Sequence, residues 1–97
     1  MITLPIKKQW FDMIKSGEKK EEYREIKPYY DSRFKIYPPF ESDFDYIIFR
    51  NGYKIDSPKL KCYCLIYKGY GKEKWGAELN KEYYVLKILS VEDLKKE

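Results

Sequence analysis

The sequence predicts a small α+β domain built on a curled, barrel-like sheet of about five strands, with one N-terminal helix and short additional helices. Three observations carry that expectation. One segment near the start has a strong helical period, several later segments have the period or composition of strands, and the links between strands need no βαβ crossover. Size sets the domain count: 97 residues, 1–97, make one domain, because single domains cluster at about 100–150 residues and two cores would not fit.

Taken in order, Ile2 to Leu4 reads as a short edge strand. Lys7 to Ser16 reads as a helix, with Ile6, Trp10, Met13 and Ile14 at i, i+4, i+7 and i+8 on one face. Gly17 follows, at the position where helices end in a left-handed residue. Glu18 to Ile26 is heavily charged and stops before Pro28. Pro28 to Phe44 is rich in aromatic residues and proline, and reads as a short helix over Tyr29 to Phe34 or as a packed loop. Asp45 to Arg50, with Tyr46, Ile47, Ile48 and Phe49, reads as a strand. Asn51-Gly52 is the best two-residue hairpin signal in the chain, with Tyr53 to Ile55 returning until Ser57-Pro58 breaks the run. Lys59 to Tyr67 alternates, with Leu60, Cys62, Cys64 and Ile66 on one face. Gly69, Gly71 and Gly76 mark a loop that carries Trp75. Tyr83 to Leu89 is the closing strand, and the spacing of Ser90 and Asp93 suggests a capped terminal helical turn.

Composition narrows the function. Aromatic residues are 19% of the chain, with eleven Tyr, five Phe and two Trp, and disordered chains are poor in them. No run approaches the roughly 18 apolar residues of a membrane span. The N-terminus lacks the basic start and long apolar stretch of a signal peptide, so a cytoplasmic location is expected. Histidine is absent, which excludes His-based triads, His acids and bases, and His-containing zinc sites. Cys62 and Cys64 cannot form a four-Cys site and read as small core residues in a reducing compartment. No metal and no cofactor are expected. The formal net charge of +4 favours a polyanion over a cationic partner.

The oddest segment is Glu18-Lys19-Lys20-Glu21-Glu22-Tyr23-Arg24-Glu25. One side reads Lys20, Glu22, Arg24; the other reads Lys19, Glu21, Tyr23, Glu25. It is either a solvated edge strand blunted by charge or a strand lining a polar cleft. Glu22 and Arg24 share a face, whereas Lys19 joins them only if it lies in the turn after Gly17 or if a bulge intervenes.

The run Gly17-x-Lys19-x-x-Glu22-x-Arg24, directly after an amphipathic helix, resembles the G-x-K-x-x-E-x-R signature of the ASCH domain, a relative of the PUA domain. Phe49-Arg50-Asn51-Gly52-Tyr53, Trp75-Gly76-Ala77 and the closing strand Tyr83 to Ile88 are similar to small bacterial and phage ASCH proteins, so the resemblance spans nearly the whole chain. It implies a small PUA-like β-barrel flanked by helices. It also implies a cleft between the first helix and the barrel that receives RNA or a nucleoside. Lys19, Glu22 and Arg24 would be its cleft residues. Lys and Arg suit phosphate or a polar base edge, the first as a point charge and the second as a planar fork. Glu22 could pair with them, accept from a base amine, or act as a base.

Most tyrosines read as core or half-buried sheet residues. Tyr53, after the Asn-Gly turn, and Trp75, among glycines, stand out as stacking platforms for unpaired bases. Arg50 is a further binding candidate at a strand end. Lys95-Lys96 reads as a solvating tail.

Three functions follow. The first is an RNA- or nucleoside-binding module using Lys19, Glu22, Arg24, Arg50, Tyr53 and Trp75. The second is a hydrolase acting on RNA or a modified nucleoside, with Lys19 and Glu22 as catalytic residues. ASCH relatives that hydrolyse 4-acetylcytidine use a Lys, a Thr three residues on, and a distant Glu. Here Glu22 stands at the Thr position, and Thr3, the only threonine, lies outside the motif. For RNA cleavage, Glu22 would need burial to make it basic, and Lys19 and Arg24 beside it oppose that. The third is a protein-interaction factor using the aromatic stretch Tyr29 to Phe44.

Overall fold

A computed structural model of the chain describes residues 1–94. The order of elements is β1 (Ile2–Ile6), α1 (Lys8–Ser16), β2 (Glu21–Arg24), α2 (Pro28–Phe34), β3 (Ser42–Asn51), β4 (Lys59–Tyr70), a single 3-10 turn (Glu73–Trp75) and β5 (Glu82–Leu94). The strands form one mixed sheet in the order β1-β3-β4-β5-β2, curled into a half-barrel with two helices. β1 runs parallel to β3, and the other neighbours are antiparallel. None of the described helices is long and apolar enough to cross a membrane.

The alternation of β4 sets the core. Leu60, Cys62, Cys64 and Ile66 are buried, and they meet Leu4 and Ile6 of β1, Ile47 and Phe49 of β3, and Tyr84 and Leu86 of β5. The helices close over this inner face. α1 contributes Phe11 and Ile14, with Trp10 only partly buried, and α2 contributes Phe34. The buried stripe of α1 is therefore turned by one position from the one expected: Phe11 replaces Trp10 at its centre. That rotation leaves the Trp10 ring at the margin of the core. Gly17 ends α1 with φ at 87°, a conformation in which a Cβ is strained.

Several expectations are corrected. Asn51-Gly52 does not make a two-residue hairpin. Asn51 still pairs with Ile6 of β1, its N–H donates to the Pro58 carbonyl at 2.9 Å, and the Gly52 N–H donates to Ile6 at 3.0 Å. The return strand starts at Lys59, so 53–55 are loop. The neighbouring parallel strand captures the Gly52 amide before a tight turn can close. Ser90 and Asp93 do not cap a helix, because β5 runs on to Leu94 paired with β4; the long partner strand offers those residues a ladder. Gly69 lies inside β4, and Phe44 lies inside β3. Of the two readings of the stretch after Pro28, the helix is present. Lys95-Lys96 lie outside the described residues.

The two ends of the curl differ from its middle. β1 pairs only with residues 47–51 of β3, leaving 42–46 without a strand neighbour on that side among the described residues. There the Phe44 N–H donates to Asp43 Oδ1 at 2.8 Å and the Tyr46 N–H donates to Asp45 Oδ1 at 2.7 Å. At the other end, β2 pairs with β5 only through residues 84–87.

The fold carries buried and partly buried acids that it keeps protonated. Burial pushes the Cys62 thiol from 9.0 up to about 12 and raises Cys64 as well. Burial also raises the Tyr23, Tyr67 and Tyr84 hydroxyls above 10.0. Above their ordinary values these groups ionise in the unfolded chain but not in the folded one. The unfolded chain then binds fewer protons, and stability falls as pH rises. Urea midpoints measured across pH should decline from 9.0 upward. In a Cys62→Ala/Cys64→Ala chain the onset should move toward 10.0, where the tyrosines take over. An unchanged onset would assign the decline to groups other than the thiols.

Candidate functional site

The segment after α1 decides the site. Gly17 turns the chain, and the Lys19 N–H donates to the Met13 carbonyl at 2.9 Å, which folds the turn back under the helix. Lys19 thus sits ahead of β2, outside the strand alternation. β2 then runs as an outer strand of the sheet, with Glu22 opposite Leu86 and Arg24 opposite Tyr84. Those partners are core residues, so Glu22 and Arg24 point to the inner, concave face.

The three charges converge there. Lys19 Nζ lies 3.3 Å from Glu22 Oε1, and Arg24 Nη2 donates to Glu22 Oε2 at 2.9 Å. Glu22 is 7% exposed and Lys19 only 1%. The solvated-edge reading of this strand therefore fails at Glu22. Lys19 is enclosed: its ammonium also donates to the Trp75 carbonyl, and it lies 4.5 Å from the Trp10 ring centroid and 5.2 Å from that of Tyr23. Burial pushes Lys19 below its ordinary 10.5, and Glu22 opposes the shift. Between the lowered value and 10.5, Lys19 alone would add stability as pH rises, against the trend set by the five thiols and phenols.

Arg24 does more than pair. Its Nη2 donates to the Pro5 carbonyl at 2.9 Å and its Nη1 donates to the Tyr30 hydroxyl at 3.2 Å. Pro5 belongs to β1 and Arg24 to β2, the two outer strands of the sheet. A guanidinium therefore spans the open seam of the half-barrel, where no backbone pairing between β1 and β2 is present among the described residues. Pro5 suits that position, since an outer strand tolerates a residue that cannot donate.

A hollow of about 340 Å³ lies along this seam. Glu22 and Arg24 line it from β2, Pro5 and Ile6 from β1, and Lys7, Lys8 and Trp10 from the start of α1; Asn51, Gly52 and Tyr53 complete it. Its size is at the low end for small-molecule sites, which run about 300–1,000 Å³. Tyr53 is 85% exposed, so its ring is available as a wall. A second hollow of about 350 Å³ lies on the other side of Arg24, against Lys27, Tyr30, Lys81 and Tyr83.

The expected site residues separate into two groups. Glu22, Arg24 and Tyr53 line one hollow. Lys19 lies behind Glu22 and does not line it. Arg50 does not line it either: its Nε donates to the Gly52 carbonyl at 3.1 Å and so braces the loop that carries Tyr53. Trp75, expected as an exposed platform, is buried. The 3-10 turn folds it inward, with Lys72 and Lys74 over its ring at 4.9 and 4.8 Å. Sequence reasoning missed Lys7, Lys8 and Trp10. The signal was present, since an aromatic at the first turn of a helix on the margin of its apolar face stands beside whatever precedes the helix. No cluster of His, Cys, Asp or Glu suited to a metal occurs among the described residues.

Comparison with protein-family models, with curated proteins and with solved structures finds no match to this chain.

Glu22 is the single anion of this buried unit, and removing it leaves two cations uncompensated. Glu22→Ala should cost about 3–5 kcal/mol of unfolding free energy in urea. Lys19→Met should cost less, because Glu22 keeps Arg24 as its partner at 2.9 Å. A loss within about 1 kcal/mol for Glu22→Ala, the scale of a surface pair, would mean the carboxylate is solvated.

Proposed function

We propose that this chain is a PUA-like domain of the ASCH type that binds single-stranded RNA or a nucleoside in the seam hollow. The observation that carries the reading is a buried carboxylate, paired with two cations, in a hollow whose wall includes an aromatic loop residue. Single-stranded nucleic acid is bound by aromatic faces that stack bases and by cations that meet the backbone. Trp10 and Tyr53 supply the first, and Lys7, Lys8 and Arg24 supply the second. The spacing of Gly17, Lys19, Glu22 and Arg24 supports the family assignment, because those residues are the ones that build the site.

The enzymatic reading has less support. The Lys19 ammonium is enclosed by Glu22, Trp75 and two aromatic rings, which suits a positioning residue better than an attacking one. The residues lining the hollow include no Ser, Thr, Cys or His. The protein-interaction reading rests only on exposed aromatics such as Tyr37 and Phe40.

Fluorescence anisotropy with labelled single-stranded RNA tests the proposal. Binding at about 50 mM salt should weaken steeply by about 200 mM. Tyr53→Ala should lose about 1–3 kcal/mol of binding free energy with folding unchanged, because the ring is exposed. Arg33→Ala, on the solvent side of α2, should leave binding unaltered. No binding at low salt, or an equal loss in both variants, would overturn the reading.

A further inference from the structure

Glu22 has acceptor capacity to spare. A carboxylate offers about four lone-pair sites. Lys19 faces Oε1 at 3.3 Å and Arg24 donates to Oε2 at 2.9 Å, one cation to each oxygen. Each oxygen therefore keeps room for a further donor, while the side chain is 9% exposed and lines the hollow. The matching ligand group is a pair of adjacent N–H donors.

The surrounding charge restricts which donor pair fits. Lys7, Lys8 and Arg24 line the same hollow, and Lys19 backs it. Lys8 pairs with Asp12 at 2.6 Å, and Glu22 is the one carboxylate lining the hollow, so an ammonium or guanidinium ligand would still face more cations than anions there. A ligand that donates through a neutral edge, and carries negative charge elsewhere, fits both halves of the site. Among nucleobases, guanine alone sets two N–H donors side by side on its Watson–Crick edge, at N1 and N2. Adenine, cytosine and uracil each set an acceptor beside their donor there, and an acceptor aimed at a carboxylate is repelled.

We infer that the seam hollow selects guanine, with the N1 and N2 hydrogens donated to Glu22, the base beside Trp10 and Tyr53, and the phosphate toward Lys7 and Lys8. This rests on the nucleic-acid reading above and narrows it to one base. The same chemistry is available from a free guanine nucleotide and from an unpaired guanine in RNA.

The test ranks affinities of the wild-type chain for GMP, AMP, CMP and UMP by calorimetry, and for labelled single-stranded tetranucleotides of each base by anisotropy. Guanine should lead by roughly 10- to 100-fold, the discrimination of a good two-bond base contact. A lead in the tetranucleotides that exceeds the lead in the mononucleotides would identify RNA as the source. Equal leads would identify the free nucleotide. Glu22→Gln replaces two acceptors with one acceptor and one donor, so the lead should vanish in favour of adenine or cytosine. Tyr53→Ala should weaken all four without changing their order. Binding without a base ranking would overturn the guanine assignment and leave the nucleic-acid reading standing. Absence of binding to every probe would overturn both. The wild-type ranking decides the matter even if Glu22→Gln fails to fold.

Discussion

Glu22 lies between two cations on the inner face of an outer strand, and the local structure is arranged around that pairing. Taking a carboxylate and an ammonium out of water costs several kcal/mol per ion unless the remaining hydrogen-bonding capacity is met. Lys19 meets part of that cost from below, with help from the Trp75 carbonyl and the Trp10 ring. Arg24 meets it from the side while reaching Pro5 and Tyr30. Each partner fixes a different element: the turn after α1, the 3-10 turn, β1 and α2. A group that demands four elements in place at once is poor as pure stabilisation, because an apolar trio would cost less to bury.

The seam explains why the site falls where it does. A closed barrel would join the free edges of β1 and β2 through a backbone ladder. Here the sheet stops short, and the gap is crossed by one side chain. The unclosed edge leaves room between the strands, and the start of α1 and the 51–53 loop wall it off. The hollow lies at this unclosed edge, and Arg24 bridges it through the Pro5 carbonyl.

Much of this architecture was legible in the residues. The alternation in β4 and the glycine after α1 are strong local signals with direct counterparts in the fold, whereas the period of α1 locates the helix but sets its buried stripe one position off. Local signals misled where a distant strand competed for the same backbone. Asn51-Gly52 has the chemistry of a tight turn, yet β1 takes the Gly52 amide, and Ser90 and Asp93 have the spacing of a cap, yet β4 holds them extended. The charged strand was half legible: the shared face of Glu22 and Arg24 follows from strand period, whereas the position of Lys19 depends on a turn geometry that the sequence only permits. Trp75 shows the limit most directly, since glycines around an aromatic residue describe a loop without saying which way it folds.

The unpaired half of β3 has a further meaning. An outer strand with open amides invites another chain to add to the sheet. The amides of Phe44 and Tyr46 already have acceptors, each the carboxylate of the residue just before. An arriving strand would have to displace two carboxylates to reach these two amides. The protein can thus display the aromatic side chains of Phe44 and Tyr46 to water while its backbone discourages polymerisation along that margin.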